Sequence, residues 1–201
     1  MKSENYTYHR FVVVFVAFSA AFASSCDEES RSIEPTAVNS FKMIVNGVLW
    51  EPSVIDPCHK TFQCAWSALN DKPFYNISAY RDPHNSTSLF SENSFSMQLM
   101  DASRAGVYPI NGSFLQNFES YATFVINDGG GKTVYQNKKN GNSFHVEIIE
   151  LFHSQLTSVV GIQGAFSGVV YNIDNPLDSI VIDKGDFLFK KLNRYDFNHC
   201  H

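Results

Sequence analysis

The residues best able to do chemistry in this chain are its 4 cysteines, and their spacing puts them in different situations. Cys58-His59 with Cys64, and His199-Cys200-His201, hold zinc-type ligands, yet neither spacing matches a familiar zinc pattern, and no metal is expected. A Cys58–Cys64 disulfide would close a loop of about seven residues and gain ~2–2.5 kcal/mol by loss of chain entropy in the unfolded state. A bridge from either to Cys200 would gain ~5 kcal/mol by the same argument. It would, however, have to hold a penultimate residue of a polar tail against fraying. The local pair Cys58–Cys64 is therefore expected in an oxidising compartment, with Cys200 a free thiol. Cys26 stands apart, directly behind Ser24-Ser25 and ahead of Asp27, Glu28 and Glu29.

Catalytic patterns do not assemble from the remaining residues. Gly131-Lys132-Thr133 has the end of a phosphate-binding loop, but the glycine required five positions earlier falls on Ile126, and a strand-like Thr-Val-Tyr-Gln follows where a helix should begin. A hairpin turn is the expectation there. Ser167 lies in Ala-Phe-Ser-Gly within a strand pattern rather than in a nucleophile elbow. His145 alternates with Phe144 and Val146 and should face solvent. Glu147 and Glu150 are three apart, so a regular strand would send them to opposite faces unless a bulge intervened. Asp174, Asp178, Asp183 and Asp186 read as solvated acids of hairpin turns, with an acid–base pair or a calcium loop as the alternative. Trp50, Trp66, Tyr75, Tyr80, Tyr108 and Tyr121 could stack on a sugar, although aromatics at this density mostly form core. Catalytic residues and cofactors are accordingly both expected to be none.

Phe11 to about Ala23 is an apolar run, preceded by Lys2, His9 and Arg10 and followed by small residues. It is shorter than the ~20 residues that cross a bilayer and has the shape of a signal peptide. With Cys26 directly behind it, the site resembles a lipobox, with Ala23 where that motif favours Leu. The resemblance implies that residues 1–25 are removed and that Cys26 carries acyl chains such as palmitate. A plain signal peptide cut near Ala23 and a short membrane anchor are the alternatives. Residues 26–39 then form an acylated N-terminus and flexible tether, 40–198 a single domain, and 199–201 a tail.

Across that domain the apolar period is two, not 3.6. Asn46-Gly47 between Phe41–Val45 and Val48–Trp50 predicts a hairpin. Phe74–Arg81, Phe95–Leu99, Tyr121–Ile126, Thr133–Gln136 and Phe144–Phe152 predict strands, as does the run from Ile162 to Val170. Ile180 with Ile182, and Phe187 with Phe189, predict two more, while Gly106–Pro109 predicts a turn and Asp56–Cys64 an irregular stretch. The one short helix expected is Ser113–Phe118. The fold class is thus all-β, a single antiparallel sandwich or barrel-like meander. The formal net charge of −5 and the lack of a basic run exclude a nucleic-acid footprint.

The opening F-x-M-I-V-N-G-V-L-W, the G-V-Y-P-I segment and the closing G-I-Q-G-A-F-S-G-V-V-Y-N…S-I-V-I-D-K-G-D-F resemble uncharacterised Bacteroidota envelope lipoproteins. That family shares an N-G-x-x-W hairpin and a G-x-F-x-G…I-x-x-G-x-F meander. The resemblance implies an all-β fold and an outer-membrane, lipid-anchored location. The acids after Cys26 resemble the family's signal for the cell surface, with a periplasm-facing position as the alternative. Asp178-Ser179-Ile180 resembles the O-glycosylation acceptor of the same group, which implies a glycan on Ser179. The expected function is a non-catalytic module that binds a glycan or an envelope protein. The alternatives are a hydrolase with an unrecognised carboxylate site and a lipocalin-like carrier of a small apolar ligand.

Overall fold

The computed structural model describes residues 39–56, 59–81, 93–116, 118–128, 131–156 and 158–192. Cys26 and the rest of the tether to residue 38, Cys58, and the tail with Cys200 lie outside them. The domain is all-β, as its period predicts, and is built on one antiparallel sheet curled into a half-barrel.

β1 (Ser40–Val45) and β2 (Val48–Trp50) pair through Asn46-Gly47. Both turn residues are left-handed, at φ 48° and 82°, which is the primed turn that matches strand twist. β3 (Val54–Asp56) and β4 (His59–Lys60) form a separate two-stranded ribbon. β5 (Phe62–Leu69), β6 (Lys72–Arg81) and β7 (Asn93–Met100) are a meander. β5 replaces part of the irregular stretch expected from sequence, and it turns into β6 through left-handed Asn70 and Asp71. β8 (Gly106–Pro109) is likewise a strand and not the expected turn, because β11 supplies it with a partner. β9 (Tyr121–Asn127) and β10 (Lys132–Asn137) make a hairpin around the Gly131-Lys132-Thr133 segment. β11 (Phe144–His153), β12 (Val159–Asn172) and β13 (Ser179–Phe189) close the chain.

The long β12 lets the sheet curl. One of its edges pairs with β13, while the other is shared, β11 taking Val159–Gly168 and β10 taking Val170–Asn172. The sheet therefore forks at Gly168: one branch runs to β8, and the main path runs β10-β9-β7-β6-β5. The wings meet through their aromatic side chains, with Phe41 on Phe95 at 5.6 Å, Trp50 on Phe124 at 5.9 Å and Phe62 on Phe189 at 6.0 Å between ring centroids. Phe166 sits at the centre, stacked on Phe95 at 4.9 Å and 15°, and within 6.2 Å of Phe41, Phe144 and Phe187.

β13 carries the fold's most informative irregularity. Ile180 and Ile182 are buried, and so are Phe187 and Phe189, although a regular strand would put even and odd positions on opposite faces. One extra residue resolves the conflict. Asp183-Lys184 oppose the single Ser167 of β12, and Lys184-Gly185 the single Met43 of β1, so β13 bulges and Lys184 takes φ 48°. The two strands expected from sequence are thus one strand with a bulge. No helix occurs among the described residues. Ser113–Phe118 belongs to a loop closed by Gly112 N–H to Ser120 O and by the Glu119 carboxylate on Ser113 N–H, each 2.8 Å. Asn39, assigned to the tether by sequence, is buried and accepts from Lys190 N–H at 2.9 Å.

Gly185 follows the bulge because the Phe166 ring lies where its Cβ would be. That ring is itself wedged among four others and cannot give way. Gly185→Ala should destabilise the domain by ~1–3 kcal/mol as an overpacked site. Gly131→Ala, where a Cβ meets nothing within 4 Å, should stay within ~0.5 kcal/mol. Urea denaturation of the two variants checks the contrast, and equal midpoints would contradict it.

Candidate functional site

The same bulge shapes the outer face of the sheet. On β11, His145 and Glu147 point outward between buried Phe144, Val146 and Ile148. Ser167 is the direct cross-strand partner of His145, and Ala165 of Glu147. Such neighbours have Cβ atoms ~4.5–5.5 Å apart. Ser167 Oγ and His145 Nε2 are 3.2 Å from each other, a hydrogen bond. Beyond β12, the bulge presents Asp183, Lys184 and Gly185. These residues enclose a solvent-open trough of about 240 Å³, with Glu147 and His145 on one wall and Asp183 and Lys184 on the other. Small Ala165, on β12 between the two walls, lies along its middle.

The charges around the trough are uncommitted. Glu147, Asp183 and Lys184 are exposed, and none makes a hydrogen bond or ion pair through its side chain with another described residue. Asp186, three residues along β13, is instead held by Lys42 at 3.7 Å. Chemically the arrangement offers two carboxylate acceptors, one ammonium donor and a hydroxyl–imidazole pair that can do either. Ser167 and His145 are each visible in the sequence, but their meeting is not, because it depends on the β11–β12 register. Only the D-K-G-D segment between two apolar pairs of opposite parity could have signalled the bulge.

Other sequence candidates are dispersed. A bulge does fall between Ile148 and Glu150, and both Glu147 and Glu150 are exposed. Asp174 is exposed in the β12–β13 turn, whereas Asp183 and Asp186 lie in a strand rather than in a turn. Cys64 is a free thiol at 1 % exposure, and burial pushes its pKa up, so it behaves as a small core residue. Cys58, its expected disulfide partner, lies outside the described residues. The aromatic set does not form one platform: Trp50 and Tyr75 are core, and only Tyr80 counts as exposed. Burial, reinforced by Cys64 and Tyr108 nearby, pushes the Tyr75 hydroxyl up to about 12.

Ser179 is exposed at the first position of β13, opposite Tyr171. The Asp178 side chain before it is engaged. Asn172 Nδ2 donates to Asp178 Oδ2 at 3.0 Å and the Tyr135 hydroxyl donates at 2.8 Å. These bonds, that of Asn172 first, hold the Asp178 carboxyl below its ordinary pKa. Tyr135 moves the other way, through burial and through its bond to Asp178.

Among the described residues, fold and surface define a β-domain with an aromatic core and a polar trough on its outer face. By its match over residues 38–190, the chain belongs to the family described as Domain of unknown function (DUF5025). Neither a curated protein nor a solved structure matches it.

A carboxyl with a lowered pKa in the folded state stabilises that state above the ordinary carboxylate range, and the stabilisation is lost as pH falls through the lowered value. Tyr135→Phe removes one of the two donors. Its Asp178 carboxyl should therefore titrate at higher pH than in the parent, with less stability lost on acidification. Titration of the Asp178 side-chain carbon by NMR reads this directly, and an unchanged midpoint would contradict it.

Proposed function

We propose that this chain is a lipid-anchored cell-envelope protein of the Bacteroidota type, attached through Cys26, whose β-domain is a non-catalytic module for a ligand or partner. The observation that carries the reading is the filled interior. Phe41, Phe95, Phe144, Phe166, Phe187 and Phe189, each at most 5 % exposed, occupy the space a lipocalin-like carrier would leave open. Recognition is thereby left to the outer surface, where a tethered domain meets its surroundings. The exposed Ser179 suits the proposed O-glycan on that surface.

The hydrolase reading has one feature in its favour, the Ser167–His145 hydrogen bond. A nucleophile activated in this way also needs a third group orienting the base and preorganised donors for the oxyanion. Among the described residues, Ser167 is the one hydrogen-bond partner of the His145 ring, so the pair is better explained as a cross-strand contact shaping the trough.

Cys26→Ala tests the anchor. It should abolish fatty-acid labelling and release the protein from membranes, and a variant that stays labelled and membrane-bound would contradict the reading. Protease added to intact cells should digest the domain, whereas full protection would place it on the periplasmic side.

A further inference from the structure

We infer that the trough on the outer face of β11–β12–β13 is a subsite for one neutral, polyhydroxylated ring, a single saccharide unit of a glycan. This rests on the reading of the domain as a binding module, and it names the place and the ligand class.

The trough has the size of one ring. Facing walls on β11 and β13 are two strand spacings apart, ~9.6 Å, a gap that one ring bridges with a hydrogen bond of ~2.8 Å at each edge. The volume of about 240 Å³ is below the ~300–1,000 Å³ of pockets that take drug-sized ligands. Between the walls, the small side chain of Ala165 on β12 leaves the middle of the trough low.

The distribution of charge decides among ligands. A zwitterion such as a free amino acid calls for an anionic wall facing a cationic one. Here each wall carries one carboxylate and one basic side chain, Glu147 with His145 and Asp183 with Lys184. A hydroxyl both donates and accepts, so a ring bearing hydroxyls on two edges satisfies both mixed walls. An anionic ligand is disfavoured, since two carboxylates face a single lysine.

The four groups are also held ready. Ser167 fixes the His145 ring at 3.2 Å. The left-handed φ of 48° at Lys184 is a backbone state that side chains other than glycine rarely take, and it brings Asp183 and Lys184 to the same rim. Neither carboxylate is neutralised by a described neighbour.

The test is an amide-shift NMR titration of the isotope-labelled protein with glucose, galactose, mannose and N-acetylglucosamine, each to about 50 mM, which saturates a site of about millimolar affinity. Glycine and glucuronate serve as the zwitterionic and anionic comparisons. At least one neutral sugar should give saturable shifts at residues 145, 147, 165, 167 and 183–185. Glu147→Gln and Asp183→Asn, both exposed and unpaired, should each keep the parent spectrum and weaken binding about tenfold, the loss of one charge-assisted hydrogen bond. Shifts induced equally by glycine or glucuronate would overturn the ligand class. Sugar shifts mapping elsewhere would overturn the trough while leaving the binding module standing. If every sugar is silent, the saccharide is wrong, and crosslinking of the same protein to an envelope protein would show that the module reading survives without it.

Discussion

The stacking of Phe166 against Phe95, with the bare backbone of Gly185 beneath the ring, is the contact on which the rest of this domain depends. It joins β12 and β13 to β7, strands from opposite wings of the curled sheet. Parallel-displaced rings at this distance add ~0.5–1.5 kcal/mol beyond the apolar area they bury. Their larger effect is geometric. A ring of that size needs a strand without a side chain beneath it, and that places a glycine in β13. Accommodating Ile180 and Ile182 with Phe187 and Phe189 on one face then requires one extra residue, which the Asp183-Lys184 bulge supplies.

Inside and outside are therefore two consequences of one irregularity. On the inner face the bulge restores parity, so that Ile180, Ile182, Phe187 and Phe189 all join the aromatic core. On the outer face it lifts two charged residues to the rim of a trough and leaves Ser167 and His145 opposite them. A flat strand would have provided neither. Bulges commonly re-aim side chains next to binding sites, and here the same residue insertion also completes the core.

Much of the fold was legible in the sequence because alternation reports burial directly. The pattern of Tyr75, Ile77 and Ala79, and that of Phe95, Met97 and Leu99, are each one buried face. Asn46-Gly47 specified its turn because few other residues tolerate two left-handed positions. β5 was missed because its two neighbouring cysteines suggested a closed loop, and its Asn-Asp turn is a weaker signal than Asn-Gly. β8 was missed because Gly and Pro bound only four residues, and nothing local announces a partner 35 residues or more along the chain. The trough was illegible for the same reason. His145 and Ser167 are 22 positions apart, and their meeting depends on a register fixed by the whole sheet.

The central claim is that the interior of the half-barrel is filled and that recognition happens on its outer face. Titrating the native protein with a fatty acid and with an environment-sensitive apolar dye tests this most directly. The account predicts no saturable uptake by the parent, and benzene-sized uptake only after Phe166→Ala opens a dry cavity of the kind that binds such molecules. Stoichiometric binding of the fatty acid by the unmodified protein, displacing the dye, would contradict it.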